Sequence, residues 1–213
     1  AKNTHTVTSF LEGLVAKSLP AAREEMKELE EYAQSNGLKG SLETYDIYYY
    51  ENKLRQEKYS FDEEALRPYF ELNQVKSGVF ELVKQLYGLR IVPNEKIQVY
   101  HPDVEAYDVF DENNRFMGVI YLDFFCREGK GAGAWANVFR MQEKRNGEDI
   151  RPLVSLVYNF PSPSENTPSL LSFYELQTFL HEFGHGLHAL LSDVNYDSLS
   201  SFGDISWDFV ELP

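Results

Sequence analysis

The sequence is poor in cysteine and has no long apolar run. Its single cysteine, Cys126, cannot form a disulfide within the chain, so we expect a reducing, cytoplasmic location. No apolar stretch approaches the roughly 20 residues that a membrane-spanning helix needs, and no signal peptide is visible. We therefore expect neither a disulfide-stabilised secreted protein nor a membrane-spanning one.

Basic residues are also scarce. The 20 Lys and Arg residues are outnumbered by 34 Asp and Glu residues, which gives a net charge of -14. Nucleic acids and anionic membrane surfaces are bound through Lys and Arg, so this balance argues against both kinds of partner. Aromatic residues, in contrast, make up 15% of the 213 residues, and the composition is that of a globular chain long enough to bury a large core.

Residues 1–92 have the apolar spacing and the end signals of helices. We predict two helices over 7–36, separated at Pro20, a third helix over 44–58, and further helical segments over 62–87. We expect the tyrosines of the third helix to pack in the core and not to bind a ligand: Tyr45, Tyr48, Tyr49 and Tyr59.

Residues 93–213 begin with alternating patterns that are typical of strands. We predict strands over 97–100, 105–110, 116–125 and 153–160, the second and third joined by a turn in a hairpin. The glycine-rich segment 127–135 lacks the spacing of a phosphate-binding loop, which argues against nucleotide binding.

The order of these patterns, helices first and then a small sheet and a further helix, predicts a mostly helical α+β fold. A break near Pro93 separates a helical part, residues 1–92, from residues 93–213, which hold the sheet and the candidate site. We expect the helical part to pack on the second part, so that the two form one continuous domain.

The most informative helix pattern covers residues 173–191, with Ser172 placed to cap its start. Within it, His181 and His185 are one turn apart and point the same way. Two imidazoles so placed can occupy two corners of a tetrahedral zinc site, with Glu182 beside them. Zinc lowers the pKa of a bound water towards neutrality, and a neighbouring carboxylate can accept the proton as the water attacks a carbonyl.

The same short string also arises by chance on amphipathic helices, where its histidines are ordinary polar residues. Three observations favour the metal hypothesis. Three of the five histidines fall within this helix. Gly184 lies mid-helix, where glycine costs about 1 kcal/mol relative to alanine unless close packing requires it. The flanking residues are strongly apolar, which indicates a buried helix.

Catalytic zinc usually takes three protein ligands, so a third must come from elsewhere. His188 lies too far along the helix from His181 and is expected to support or pack beside the site, and Leu191 excludes a third histidine ten residues after the first. Carboxylates that follow the helix stay open as ligands: Asp193, Asp197, Asp204, Asp208 and Glu211. Asp208 and Glu211 also fit a helix capping box that needs no metal.

Further motifs run in one order from residue 68 to the end of the chain: Pro68-Tyr69-Phe70-Glu71-Leu72, His101-Pro102-Asp103-Val104, Tyr107-Asp108-Val109-Phe110-Asp111, Gly133-Ala134-Trp135, Leu180-His181-Glu182-Phe183-Gly184-His185 and Asp208-Phe209-Val210-Glu211-Leu212-Pro213. In these motifs the chain resembles the thimet oligopeptidase family of zinc metallopeptidases, which includes oligopeptidase A and the bacterial peptidyl-dipeptidases.

The resemblance implies a zincin-like core, in which a small, partly antiparallel sheet lies beside the histidine-bearing helix. It implies one zinc ion per chain, held by His181, His185 and Glu211, with Glu182 as the general base. Short peptides are the implied substrates, and the residues implied to line their cleft are Gly133, Ala134, Trp135, Tyr158 and Asn159. Beside these, His188 and Asp208 are candidates to support the ligands.

Three hypotheses for function follow. The first is a zinc metallopeptidase of the oligopeptidase or peptidyl-dipeptidase type, with internal cleavage and removal of C-terminal dipeptides both open. The second is an inactive structural fragment of such an enzyme, because family members are several times longer and the chain is interpreted as a catalytic core truncated at its C-terminal end. The third is a zinc hydrolase that acts on another substrate. The sequence leaves the oligomeric state open.

Overall fold

A computed structural model describes residues 3–60, 63–202 and 205–212. The chain divides into two compact units, Ala1–Asp62 and Glu63–Pro213. This division does not coincide with the predicted break near Pro93, which ends strand β1 (Arg90–Pro93) inside the second unit. The reason is that helix α3 (Leu72–Tyr87) belongs with the sheet, since its Val79 and Val83 share one apolar core with the sheet strands.

The first unit is a pair of helices, α1 (Thr4–Ser35) and α2 (Thr44–Tyr59). The prediction of two helices over residues 7–36 is wrong, because α1 continues through Pro20. Proline removes one backbone hydrogen bond, but this part of α1 is exposed, so water can satisfy the freed carbonyl. Leu29 and Ala33 of α1 pack against Tyr50 of α2.

The aromatic stripe of α2 is not in the core as predicted. Within the first unit, as far as the structure describes it, α1 covers the face of this helix that carries Ile47, Tyr50 and Leu54 at helical spacing. The four tyrosines that were expected to pack in the core lie outside that face and are exposed: Tyr45, Tyr48, Tyr49 and Tyr59.

The second unit is built on a five-stranded sheet. In spatial order its strands are β1, β2 (Val104–Phe110), β3 (Phe116–Phe125), β7 (Leu153–Phe160) and β4 (Trp135–Arg140). Strands β3 and β7 are parallel, and the other neighbours are antiparallel. A separate hairpin is formed by β5 (Glu143–Arg145) and β6 (Glu148–Ile150). The combination of helices with a small mixed sheet confirms the α+β prediction.

One predicted strand is absent, and another takes its place. Residues 97–100 are a bend and coil, whereas β1 lies earlier in the chain. The cause is Asn94, whose side-chain oxygen accepts hydrogen bonds from the backbone N–H groups of Lys96 and Ile97. This local turn diverts both amides from strand pairing.

Helix α4 (Phe173–Leu190) packs across the middle of the sheet. It begins with a capping box, in which the Ser172 hydroxyl accepts from Glu175 N at 3.1 Å and the Glu175 carboxylate accepts from Ser172 N at 2.7 Å. Its buried face approaches the sheet closely at Gly186, where a Cβ atom would lie 3.2 Å from a methyl group of Leu156. In the part of the chain that the structure describes, no helix is long and apolar enough to span a membrane.

The second unit also contains several short helices. A 3-10 helix (Glu63–Tyr69) precedes α3, a second 3-10 helix (Asp197–Leu199) follows α4, and α5 (Trp207–Val210) is a single turn. Helix α3 ends at Gly88, whose φ of 68° is left-handed and therefore suits glycine.

Candidate metal centre

His181 and His185 lie one turn apart on α4, on either side of the buried residue Glu182 in the sequence. Their ring centroids are 4.8 Å apart and their planes are nearly perpendicular. The side chain of His181 is half exposed, whereas that of His185 is mostly covered. Because α4 packs on the sheet through its apolar residues, its backbone holds the two histidines one turn apart on a supported helix.

Glu211 approaches this pair from the carboxyl end of the chain. Its Oε2 atom lies 3.1 Å from Nε2 of His181 and 3.4 Å from Nε2 of His185. Helix α5 begins after Ser206, so Asp208 is not the N-cap residue that a capping box requires. Glu211 directly follows the last residue of this one-turn helix instead of lying in the first turn of a longer one. The side chain of Asp208 lies outside the described part of the structure.

The chemistry of the three donors, and the distances from Glu211 to the two histidines, suit a zinc ion. Two imidazole nitrogens and one carboxylate oxygen all lie within 4.8 Å of one another, and this is a ligand set that zinc uses in hydrolytic enzymes. Ligand bonds of about 2.0–2.1 Å place two tetrahedral donors roughly 3.3–3.4 Å apart. The distances of 3.1 and 3.4 Å from Glu211 to the histidines are close to that value.

Glu182 lies between the two histidines in sequence but is buried, with 7% of its surface exposed. Burial raises the pKa of its carboxyl group, the charges of His181 and His185 oppose this rise, and the charge of Glu211 adds to it. The carboxylate borders the same cavity as the three donors. Glu182 is thus placed to exchange a proton with a molecule bound beside the donors.

The donors open into a cavity of about 510 Å³. One wall is the start of β4, with Ala134, Trp135 and Ala136. Another part of the lining consists of apolar residues that were not predicted to border the site: Phe202, Ile205, Trp207 and Val210. The ring of Phe202 also packs 5.6 Å from the ring of His185. The sequence signal that could have identified these residues is their closeness to Glu211.

The residues expected to line a peptide cleft divide into three groups. Ala134 and Trp135 line the cavity, and Gly133 and Asn159 border a smaller adjoining hollow of about 280 Å³. Asn159 also donates hydrogen bonds from Nδ2 to the carbonyl oxygens of Gly131, at 2.8 Å, and Gly133, at 2.7 Å. The structure does not bring Tyr158 to the cavity, because its side chain is completely buried in the aromatic core.

His188 lies one turn beyond His185 and does not join the three donors. Burial lowers the pKa of its imidazole, and the charge of His185 lowers it further. Its Nδ1 atom is buried and has no hydrogen-bond partner among the described residues.

Comparison with known proteins assigns the chain to a family. Its whole length, residues 1–213, matches the family model of Peptidase family M3. It is 37% identical to oligopeptidase A of Escherichia coli strain K12 over an aligned region of 214 residues. This region covers 100% of this chain and 32% of that protein.

Two further relatives have other names. The dipeptidyl carboxypeptidase of Salmonella typhimurium is 36% identical over 100% of this chain and 31% of its own length. Saccharolysin of Saccharomyces cerevisiae is 31% identical over 100% of this chain and 32% of its own length. The chain thus spans about a third of the length of the curated relatives it matches. The predicted resemblance is confirmed, and the chain belongs to Peptidase family M3.

Proposed function

We propose that this protein is a zinc-dependent metallopeptidase that hydrolyses short peptides. The observation that carries the proposal is the convergence of three donor atoms, from His181, His185 and Glu211, beside the buried carboxylate of Glu182. Membership of Peptidase family M3 supports the peptidase activity, and relatives named oligopeptidase A and dipeptidyl carboxypeptidase support short peptides as substrates.

In this proposal the two histidines hold one zinc ion through Nε2, and Glu211 holds it through a carboxylate oxygen. When bound, the ion would lower the pKa of a water molecule and polarise the peptide carbonyl. Glu182 accepts a proton from the water that adds to the carbonyl carbon and returns it to the nitrogen of the leaving amine as the C–N bond breaks. The burial of Glu182 supports this role, since it raises the pKa of the carboxyl group and so makes the carboxylate a better proton acceptor.

The peptide is proposed to bind along β4. In the five-stranded sheet this strand is at the edge, and β7 pairs with only one of its sides. An extended peptide can pair with such an edge through backbone hydrogen bonds, which give affinity without strong dependence on side chains. Ala134, Trp135 and Ala136 border the same cavity as the metal donors, which supports this placement. An edge strand beside a histidine-bearing helix is also the basis for proposing a zincin-like core.

The decisive experiment separates the metal from the proton transfer. Glu182→Gln is expected to retain zinc and lose peptide cleavage, because the amide cannot accept the proton. His185→Ala is expected to lose zinc as well, because it removes one of three donors. Zinc content and cleavage of a quenched peptide are measured on both variants and on the parent. Cleavage by Glu182→Gln at the parental rate contradicts the proposed general base.

An inactive structural fragment is the second candidate, and the limited coverage of the relatives favours testing it. Because the chain corresponds to about a third of their length, it is assayed both alone and within a protein of the relatives' length. Zinc binding without cleavage by the 213-residue chain, together with cleavage by the longer protein, identifies the chain as a metal-binding part of the enzyme. Zinc binding in both without peptide cleavage favours a hydrolase of another substrate class. A cytoplasmic location and the absence of nucleic-acid and membrane partners stay predictions.

A further inference from the structure

A buried polar network fixes the segment that leads from α4 towards Glu211. We call residues 191–201 the connector. Gln142, which follows β4, is completely buried. Its side-chain Oε1 accepts from Val194 N at 2.8 Å, and its Nε2 donates to Val194 O at 3.1 Å. One side chain therefore satisfies both backbone groups of a connector residue, as a neighbouring strand does in a sheet.

The backbone of Gln142 makes a second attachment. Its N–H donates to the hydroxyl oxygen of Ser200 at 3.1 Å, and Ser200 is itself buried. The connector is thus held at Val194 and again at Ser200 by one residue of the sheet region. The neighbouring β5–β6 hairpin adds a backbone hydrogen bond from Lys144 N to Asn195 O at 3.2 Å.

Arg151 fixes the other end of the connector. Its guanidinium donates to the carbonyl oxygens of Leu190 and Ser192, which lie at the end of α4, and to the carbonyl oxygen of Met117 in β3. Carbonyl groups at the end of a helix have no partner within the helix, and a positive charge is favourable there. Asp149 joins the two attachments, because it accepts from Gln142 Nε2 at 3.0 Å and from Arg151 at 3.3 Å.

The connector also returns to the metal centre along a defined path. The Ser192 hydroxyl donates to His188 O and accepts from Ser201 N, both at 3.0 Å, so the end of the connector is tied to the end of α4. The next residue, Phe202, packs against the ring of His185. The chain therefore re-enters the site beside one of the two histidines.

Glu211 needs such support, because its own helix offers little. Helix α5 has four residues, and a helix of one turn is not stable by itself in water. The Glu211 side chain is mostly exposed, so little packing holds it near the histidines. Its position consequently depends on where the preceding chain enters the site.

We infer that Gln142 is a positioning residue for the metal donor Glu211, and that it acts by fixing the connector to the sheet beside the attachment made by Arg151. This inference rests on the proposed function, since it takes Glu211 as the third zinc ligand. Gln142 does not touch the donors. Its effect is to reduce the conformational freedom that Glu211 loses when it binds the ion beside His181 and His185.

The test measures zinc affinity, not turnover. Gln142→Met keeps the side-chain length and removes both hydrogen bonds to Val194, and it is expected to weaken zinc binding by about 10- to 100-fold. Ser200→Ala, a smaller change that removes the second attachment, is expected to weaken zinc binding by less. Val83→Ala in the apolar core of α3 controls for general destabilisation and is expected to leave the zinc dissociation constant unchanged. Each metal-free protein is titrated with zinc against a chromophoric chelator.

A double-mutant cycle then asks whether the effect passes through Glu211. In a Glu211→Ala background, Gln142→Met is expected to cause no further loss of zinc affinity. In metal-free protein, amide hydrogen exchange at Val194 is expected to be faster in Gln142→Met than in the parent, because this amide loses its acceptor.

The outcomes separate the two proposals. Zinc binding by the parent with unchanged affinity in both Gln142→Met and Ser200→Ala overturns the positioning role and leaves the proposed function intact. An equal loss in the Glu211→Ala background also overturns it, because Gln142 then acts on the histidine helix. A parent chain that binds no zinc through His181 and His185 overturns the proposed function, and this inference with it.

Discussion

A buried cluster of charged residues lies at the base of the β3–β4 loop, which leads to Ala134 and Trp135 of the cavity. Its contribution to stability gives the most specific prediction. Asp123 is 1% exposed, and its carboxylate accepts two hydrogen bonds from Arg127, at 2.6 and 2.8 Å. It also accepts from Lys130 at 3.0 Å and from the hydroxyl of Tyr100 at 3.0 Å. The side chain of Lys130 is almost completely buried, so its charge depends on this carboxylate.

We expect Asp123→Asn to lower the free energy of unfolding of the second unit by about 3–5 kcal/mol. The amide keeps the shape of the side chain but removes the negative charge, which leaves the buried ammonium group of Lys130 without a counter-ion. The matched control is Glu81→Gln, which removes the exposed ion pair with Lys84 on α3. This control is expected to change stability little, because water screens both charges.

Urea unfolding followed by tryptophan fluorescence measures both variants at pH 7. The two tryptophans, Trp135 and Trp207, belong to the second unit, so their fluorescence reports on that unit. A loss in Asp123→Asn no greater than the loss in Glu81→Gln refutes the reasoning, because the buried charges would then have adequate partners elsewhere.

Four further predictions concern pH, glycine positions and metal. Burial alone raises the pKa of Asp123, but hydrogen bonds from Arg127 and Lys130 hold it below its ordinary value. The ionised carboxylate therefore contributes its full stabilisation above about pH 4, and this stabilisation is lost as pH falls through the folded-state pKa. Urea unfolding at decreasing pH should show the stability of the parent approaching that of Asp123→Asn. Gly118→Ala should destabilise the second unit by about 2–4 kcal/mol in the same assay, because φ is 146° and a Cβ would lie 2.7 Å from the carbonyl oxygen of Pro152. At Gly13 on α1, an added Cβ would have no atom within 4 Å, so Gly13→Ala should stabilise the first unit by about 0.5–1 kcal/mol in thermal unfolding followed by circular dichroism. A loss of stability would contradict the exposed helical setting. Zinc at 100 times its dissociation constant should stabilise the second unit by about 2.7 kcal/mol and a chelator should reverse this, whereas equal melting temperatures with and without zinc would contradict the metal site.

Local signals were sufficient for the central helix. Ser172 and Glu175 satisfy each other's backbone groups. Part of the apolar pattern of α4, at Phe179, Phe183 and Leu190, matches the face that the sheet covers, whereas Phe173 and Leu180 are exposed. The pair His181 and His185 follows from helix geometry alone, since four residues make one turn. These features depend on neighbours within a few residues, which is why the sequence predicts them.

Features that depend on distant contacts were not predictable in the same way. The tyrosines of α2 are exposed because one face of that helix is covered, and nothing in their spacing says which face. Strand β7 is buried on both faces, so alternation along it does not indicate whether Tyr158 points to the core or to the cavity. Helix α3 lies before the predicted break at Pro93 but packs with the sheet, a relation that only the tertiary structure sets.

The candidate metal centre was predictable in its chemistry but not in its surroundings. The donors His181, His185 and Glu211 were identified from the motif and the resemblance, and they meet in the structure. Phe202 and Ile205 were not identified, because apolar residues in a segment without secondary structure carry no periodic signal. Gln142 was missed for a similar reason, since a buried amide cannot be distinguished from a surface one by its sequence context.

The three donors differ in how they are carried. Both imidazoles belong to a helix seated on the sheet, whereas the carboxylate of Glu211 extends from a single exposed turn. If zinc binds as proposed, an arriving ion meets the nitrogen pair already in place and the carboxylate closes last. Dissociation would follow the opposite order, with the Glu211 carboxylate leaving the ion first. Substitutions near Glu211 would then change how long the metal stays bound without altering either imidazole.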